Sequence, residues 1–81
     1  MERQEIISRL SELLAEEFEV DASLITGDAP LMETLELDSL DLVDVVVIIE
    51  QNFGVTLSAP DFQGIKTFDD FFTLIERKVN A

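Results

Sequence analysis

Five consecutive β-branched residues, Val45–Ile49, follow a run of aspartates and constrain the fold of this chain more than any other feature. By intrinsic propensity such residues favour a strand. Asp38, however, is a favoured N-cap residue, and Asp41 three residues later completes the pattern of a capping box. Polar residues recur near helical spacing at Asp41 and Asp44, and no second strand candidate is available for pairing. The sequence therefore predicts a helix over Ser39–Asn52 that depends on burial.

The beginning of the chain has the pattern of an amphipathic helix from about Glu2 to Phe18. Apolar residues recur there at helical spacing, and Arg3, Arg9 and glutamates lie on the opposite face. The apolar positions are Ile6, Ile7, Leu10, Leu13, Leu14 and Phe18. We expect this helix to contribute to the core.

The last third of the chain predicts another long helix. Thr67 and Asp70 have the spacing of a capping box, and Arg77 and Lys78 complement the negative end of the helix dipole. The stripe predicted to be buried comprises Phe68, Phe71, Phe72, Ile75 and Val79. We expect this stripe to be buried in the core of the fold.

The segments between these helices complete an all-α fold. Residues 19–37 are too long for an ordinary connection, and their scattered apolar residues predict an ordered crossover with a helical turn. Gly54 is expected to end the second helix, and a brief helix is expected from Ser58 to about Gln63, with Gly64 as its stop. The sequence thus predicts one domain over 1–81, a small four-helix bundle of three longer helices and one short helix, with a long loop between the first two.

The charge of the chain restricts its partners. Eighteen acidic and five basic side chains give a formal net charge of −13, and no Lys or Arg occurs between Leu10 and Ile65. Nucleic acid is excluded as a ligand because phosphate binding requires a basic surface. The negative middle of the chain predicts association with basic partner surfaces. The alternative explanation is solubility alone, because solvated acidic faces are common.

Several chemistries are excluded by missing residue types. The sequence has no cysteine and no histidine, so disulfides, thiolate metal sites, Ser-His-Asp triads and His-ligated zinc cannot form within it. The longest apolar run is far shorter than the ~20 residues that span a bilayer, and the first residues lack the order of a signal peptide. We therefore expect a cytoplasmic protein that neither spans a membrane nor acts as an enzyme.

Asp38-Ser39-Leu40 is a weak motif alone, because any acidic helix start can contain it. In its context, however, the chain resembles an acyl carrier protein from about Val20 to Val79. Leu-Glu-Leu-Asp-Ser-Leu-Asp-Leu-Val at residues 35–43 is similar to the family signature Leu-Gly-x-Asp-Ser-Leu-Asp-x-Val. The segments at 25–31, 50–54 and 65–68 are similar to the family's Ile-Thr-Pro-Glu-Ala-Ser-Phe, Glu-x-x-Phe-Gly and Ile-x-Thr-Val segments.

The resemblance implies that Ser39 receives 4′-phosphopantetheine from coenzyme A through a separate phosphopantetheinyl transferase (holo-carrier synthase), and then carries acyl groups as thioesters. It also implies a monomer served by an acyl-loading ligase or transacylase and by ketosynthase-type enzymes with basic docking patches. The family's partner-contact positions match Asp38, Leu40, Asp41, Asp44, Val46, Glu50 and Ile65. For Leu40, Val46 and Ile65 the alternative is ordinary core packing.

The chain also departs from the family pattern. Glu36 replaces a glycine two residues before the motif aspartate, and the short helix before the last one has lost most of its acidic residues. Bulky Ile48, Phe62 and Phe71 occupy positions where the family often has small side chains around the acyl cavity. These differences predict a smaller or reshaped cavity and a specialised pathway in place of housekeeping fatty-acid synthesis.

Three functions remain open at this point. The first is a discrete carrier for fatty-acid, polyketide or related secondary-metabolite synthesis. The second is an aminoacyl or D-alanyl carrier with the same prosthetic group and a different cargo. The third is an unmodified acidic adaptor in which Ser39 only follows the helix cap.

Overall fold

The computed structural model describes residues 2–80, and over that range it is all-α. Four α-helices and two 3₁₀ helices follow one another along the chain: α1 (Arg3–Glu17), a 3₁₀ helix (Ala22–Leu24), α2 (Leu31–Thr34), α3 (Ser39–Phe53), a second 3₁₀ helix (Ala59–Phe62) and α4 (Phe68–Val79). The predicted helical bundle is therefore confirmed. Within the described residues no helix has both the length and the apolar character needed to cross a bilayer.

The β-branched run lies within α3, as the cap and spacing predicted. Val45 and Ile49, one turn apart, are 1% and 0% exposed and join the core. Gly54 follows α3 with φ 70°, and its N–H donates to the Glu50 carbonyl at 3.0 Å. Glycine adopts this left-handed conformation readily, so the predicted end of the helix is confirmed.

The short connecting helices differ from the prediction. The crossover contains two helical segments, the first 3₁₀ helix and α2, where one turn was expected. The brief helix before α4 is a 3₁₀ helix that already ends at Phe62, with Gln63 in the right-handed helical conformation. Gly64 follows directly after Gln63, at the predicted stop, without adopting a positive φ.

The core is made chiefly where α1 and α4 pack together, with α3 and the loops closing around them. Its fully buried residues are Ile6, Leu10, Leu14, Ile25, Leu31, Leu35, Val45, Ile49, Leu57, Phe68, Phe71, Phe72, Leu74 and Ile75. The stripe predicted for α4 is confirmed except that Val79 is only half-buried, and Leu74 is an addition. Ile7, Leu13 and Phe18 of α1 are also half-buried.

The crossover is held by backbone hydrogen bonds as well as by its apolar side chains. The Leu31 N–H donates to the Lys66 carbonyl at 3.0 Å, and the Phe68 N–H donates to the Ala29 carbonyl at 3.1 Å. These bonds join the start of α2 to the start of α4. The loop is therefore an ordered layer of the bundle that fixes where α3 begins.

Most of the basic side chains are used within the chain. The Arg3 guanidinium donates to Asp69 at 2.6 Å, to Thr73 at 3.1 Å and to Glu76 at 3.2 Å, which links α1 to α4. Lys78 pairs with Asp61 at 3.4 Å. These cations hold α4 to its neighbours and leave the carboxylates of α3 without internal counter-ions.

Candidate functional site

Ser39 is the first residue of α3, and its side chain is exposed. In the described part of the chain its hydroxyl makes no hydrogen bond. The Ser39 hydroxyl is therefore accessible and without a hydrogen-bond partner in the described residues, at a defined position at the start of α3.

The start of α3 is fixed by a complete capping box. One Asp38 carboxylate oxygen accepts hydrogen bonds from the N–H groups of Leu40 at 2.9 Å and Asp41 at 3.0 Å. Asp41 in turn accepts from the Asp38 N–H at 3.1 Å. The predicted cap is thus confirmed, and it satisfies donors that a helix end otherwise leaves unpaired. Two of the first-turn N–H groups are consequently already used and are not free to bind an attached phosphate.

Glu36 retains a conformation that favours glycine. Its φ is 53°, and it follows α2 in a left-handed turn in which the Leu37 N–H donates to the Met32 carbonyl at 2.8 Å. This is the bond pattern of a Schellman motif, where glycine is the preferred residue. Glu36 therefore adopts this left-handed conformation at a cost of about 1–2 kcal/mol for a residue with a Cβ atom.

An apolar groove of about 270 Å³ lies beside Ser39. It is lined by Ser39, Leu42, Val43, Val46 and Phe62. Phe62 stacks on the fully buried Phe71, with ring centroids 6.2 Å apart and an angle of 25° between the planes. The stacked rings therefore form the wall of the groove on the side of the second 3₁₀ helix.

Ile48 does not contribute to that groove. It lies in a separate groove with Glu17, Phe18, Asp44 and Val47. Ile48 therefore lies toward α1 instead of toward the second 3₁₀ helix. Its predicted effect on the acyl cavity stays a prediction.

The outward face of α3 carries a line of exposed apolar side chains. Leu40, Val43 and Val47 are 78%, 61% and 45% exposed. Their spacing of three and four residues places them together on one face of the helix, opposite Val45 and Ile49. We call these three residues the outer stripe. Exposed apolar residues that align on a helix mark a contact surface more often than isolated ones do.

Val43 and Val47 are not among the contact residues that were predicted from the sequence. A helical wheel places Val43 and Val47 opposite Val45 and Ile49, but the sequence alone does not show which of the two faces is buried.

The candidate contact residues do not form a single exposed face. Asp38, Leu40, Asp44 and Glu50 are exposed, whereas Asp41, Val46 and Ile65 are half-buried. Val46 lines the groove beside Ser39, and both Val46 and Ile65 pack against the core. For these two residues the structure shows a packing role, and a contact role remains a prediction.

The surroundings of Ser39 offer no means of activating its hydroxyl. The sequence has no histidine and no Lys or Arg between Leu10 and Ile65. The Asp38 carboxylate that lies next to Ser39 in sequence is engaged by backbone N–H groups. Within residues 2–80 no cluster of metal-ligating side chains is present either. Chemistry at Ser39 therefore requires a group from another molecule.

Comparison with known proteins identifies the family. The family model described as phosphopantetheine attachment site matches residues 8–75. The chain is 40% identical over 77 residues to the acyl carrier protein of Thermotoga maritima, covering 95% of each chain. It is 41% identical over 76 residues to that of Coprothermobacter proteolyticus, covering 94% of this chain and 93% of the relative.

The chain belongs to the acyl carrier protein family. A further relative, the acyl carrier protein of Thermosynechococcus vestitus, is 31% identical over 81 residues and is matched along the full length of both chains. Family membership indicates a covalently bound 4′-phosphopantetheine prosthetic group. An exposed, unbonded hydroxyl beside an apolar groove fits such a group.

Proposed function

We propose that this protein is a discrete acyl carrier whose 4′-phosphopantetheine is attached to the Ser39 hydroxyl. The observation that carries the proposal is the geometry of Ser39. Its hydroxyl is exposed and unbonded, at the start of a helix that a capping box holds in place, and it lies within the segment that matches the attachment-site family. When bound, the group supplies a thiol at the end of a flexible arm, on which an acyl cargo is carried as a thioester.

Attachment depends on a transferase because the chain has no histidine and the neighbouring Asp38 carboxylate is engaged by backbone N–H groups. Asp38 and Asp41 hold the helix start and leave the hydroxyl outside their hydrogen-bond network. In this role they are positioning residues. The protein is accordingly a substrate and carrier for partner enzymes and has no catalytic activity of its own.

The outer stripe and the carboxylates around it form the proposed docking surface. Leu40, Val43 and Val47 provide apolar contact area, and Asp44 and Glu50 on the same helix are exposed. Exposed apolar residues that align in this way suit a contact surface, and flanking charges increase the rate and specificity of encounter. Suitable partners are a phosphopantetheinyl transferase, a loading ligase or transacylase, and ketosynthase-type enzymes with basic surfaces.

We propose that the groove beside Ser39 limits the length of acyl chain that the protein can enclose. Its apolar lining suits the hydrocarbon part of an acyl group, and the Phe62–Phe71 stack restricts how far a chain can enter. We therefore expect short or partly exposed acyl groups, as in polyketide or related secondary-metabolite synthesis, in place of long saturated fatty acids. A structure with a long saturated chain fully enclosed among the helices would contradict this expectation.

The test is modification of the protein by a promiscuous phosphopantetheinyl transferase. The apo protein is incubated with coenzyme A, magnesium and the enzyme, and its intact mass is measured. We expect wild type to gain one phosphopantetheinyl group and Ser39→Ala to gain none. Ser58→Ala is the matched control, because Ser58 also begins a capped helical turn, and it should be modified as wild type is.

Two outcomes would reject the proposal. Wild type that gains no mass would favour the unmodified acidic adaptor, provided that a known acyl carrier protein is modified in the same assay. Equal mass gain by wild type and Ser39→Ala would place the group on another residue.

A further inference from the structure

A groove between the second 3₁₀ helix and α4 is separate from the surface proposed for docking. It encloses about 340 Å³, and its apolar lining comes from Pro60, Ile65 and Leu74. None of its lining residues belongs to α3, and none lines the groove beside Ser39. We call it the α4 groove. A ligand bound there would leave the proposed carrier site free.

Arg77 lines the α4 groove and has no partner within the chain. Its side chain is exposed, and in residues 2–80 it makes no ion pair and no hydrogen bond. Arg3, Arg9 and Lys78 are paired with carboxylates. Of the five basic side chains, only Arg77 and Lys66 are therefore unpaired in that range, and Lys66 does not line the groove.

The two carboxylates of the α4 groove are already engaged. Asp61 accepts a hydrogen bond from the Ser58 N–H at 2.9 Å and pairs with Lys78 at 3.4 Å. Asp70 accepts from two backbone N–H groups of the segment before α4, at 3.1 and 3.2 Å. These contacts leave Arg77 as the charged group of the groove without a partner.

Thr73 and Leu74 place a hydroxyl and an apolar side chain on the same face of α4 as Arg77. They precede Arg77 by four and three residues, which is about one turn of 5.4 Å. The Thr73 oxygen accepts a hydrogen bond at 3.1 Å from the guanidinium that links α1 to α4, so its own O–H proton remains available to donate. The groove thus offers a planar cation, a hydroxyl donor and apolar surface within one helical turn.

We propose that the α4 groove binds the C-terminal residue of a partner protein that ends in an apolar side chain. A guanidinium pairs with a carboxylate through two parallel N–H···O bonds. A C-terminal residue carries its carboxylate and its side chain on one Cα atom, so both can reach Arg77 and Leu74 together. An internal acidic residue fits less well, because adjacent side chains of an extended segment point to opposite faces.

The α4 groove selects a partner by a charge opposite to the one expected at α3. The chain has a formal net charge of −13 and α3 contains no Lys or Arg, so a carboxylate is repelled at long range and attracted only at Arg77. Binding at the groove is therefore weak alone and adds to contacts that the partner makes elsewhere. The inference does not depend on the attachment of any group to Ser39.

The test is a titration of the full-length, uniformly ¹⁵N-labelled protein with short peptides at constant ionic strength. The probe is acetyl-trialanyl-leucine with a free C-terminus, and the first control is the same peptide as its C-terminal amide. The second control, acetyl-alanyl-glutamyl-leucyl-alanine amide, has the net charge of the probe but an internal carboxylate. Both controls should bind roughly tenfold more weakly, because they lack the charge-assisted hydrogen bonds of the terminal carboxylate. We expect saturable shifts with the probe at the Arg77 side-chain Nε–H and at the backbone amides of Gly64, Ile65, Thr73 and Leu74.

Matched substitutions separate the groove from general attraction between charges. Arg77→Gln and Lys66→Gln each remove one unpaired cation and change the net charge equally, but only Arg77 lines the groove. Arg77→Gln should weaken probe binding roughly tenfold, and Lys66→Gln should change it by less than about twofold. Gly64→Leu should also weaken binding at unchanged charge, because a Cβ atom there meets nothing within 4 Å and the side chain can occupy the groove. The dispersion of each variant's own spectrum confirms that it is folded.

Equal binding of the probe and its amide, or the absence of saturable shifts at the groove, would overturn the inference. Equal losses for Arg77→Gln and Lys66→Gln would also overturn it, because attraction by net charge would then explain the binding. If the peptide with the internal glutamate binds as tightly as the probe, the groove recognises acidic segments and the assignment to a chain end is wrong. The titration uses protein that is unmodified at Ser39, so its result is independent of the transferase assay.

Discussion

Helices α3 and α4 begin in the same way and are used differently. Both have an aspartate-containing capping box, and they span 15 and 12 residues. Five residues of α4 are fully buried, whereas α3 buries only Val45 and Ile49 and exposes the outer stripe. We conclude that α4 mainly stabilises the fold, whereas α3 leaves exposed the part of its apolar surface on which we propose that partners dock.

Truncation of a buried aromatic residue on α4 should have the largest effect on stability. Phe72 is 2% exposed and lies 6.2 Å from the Phe68 ring, centroid to centroid. Phe72→Ala should lower the free energy of unfolding by about 3–5 kcal/mol, because it removes buried apolar area and leaves a cavity. Urea denaturation measures this change. An unchanged midpoint would show that α4 does not bury its aromatic stripe.

The cap of α3 should be the next most sensitive position. Asp38→Ala leaves the N–H groups of Leu40 and Asp41 without their acceptor and should cost about 1–2 kcal/mol of stability. Thr67→Ala is the matched change at α4, where the cap accepts one longer bond, from the Asp70 N–H at 3.4 Å. It should cost about 1 kcal/mol or less by thermal denaturation. A larger loss for Thr67→Ala would contradict the stronger cap assigned to α3.

Relief of the left-handed turn at Glu36 should stabilise the protein. Glu36→Gly removes the Cβ atom at φ 53° and should raise the free energy of unfolding by about 0.5–1 kcal/mol, after the larger conformational entropy of glycine in the unfolded chain is subtracted. Glu36→Ala is the control, because it keeps the Cβ atom while removing the carboxylate. If both variants melt at the same temperature, the turn is not strained by the side chain.

Truncation of the outer stripe should have the smallest effect on stability and a distinct effect on partners. Val43→Ala should change the free energy of unfolding by less than about 0.5 kcal/mol, because Val43 is 61% exposed and alanine is the better helix former. The same variant should raise the KM of the transferase for the apo protein without lowering kcat. A loss of stability comparable with that of Phe72→Ala would show that α3 is a packing helix like α4.

The comparison between α3 and α4 also explains what could be predicted from the sequence. The stripe of α4 has one apolar face and one charged face, so its periodicity alone identified the buried residues apart from Leu74 and the half-buried Val79. The caps at Asp38 and Thr67 were likewise predicted, because capping depends on residues three positions apart. A local sequence pattern was therefore sufficient to predict a feature wherever a single interaction, such as a cap or an apolar stripe, determines the structure.

The buried and exposed faces of α3 were harder to predict from the sequence, because the helix is apolar on nearly every side. Five adjacent β-branched residues have no polar face to mark the solvent, so the exposure of Val43 and Val47 and the position of Ile48 depended on where the neighbouring helices lie. The pairing of the crossover with the segment before α4, and the left-handed conformation of Glu36, also result from tertiary contacts. The charge of α3 could be predicted from the sequence, whereas the direction of each side chain could not.

The most direct test of the central assignment is the location of the added group after transferase treatment. Cleavage after glutamate releases residues 37–50 as one peptide, in which Ser39 is the only hydroxyl-bearing residue. We predict that the mass of one phosphopantetheinyl group appears on this peptide and is absent when coenzyme A is omitted. The same mass on residues 51–76, which contain Ser58, or on no peptide at all, would contradict the assignment of α3 as the carrier helix.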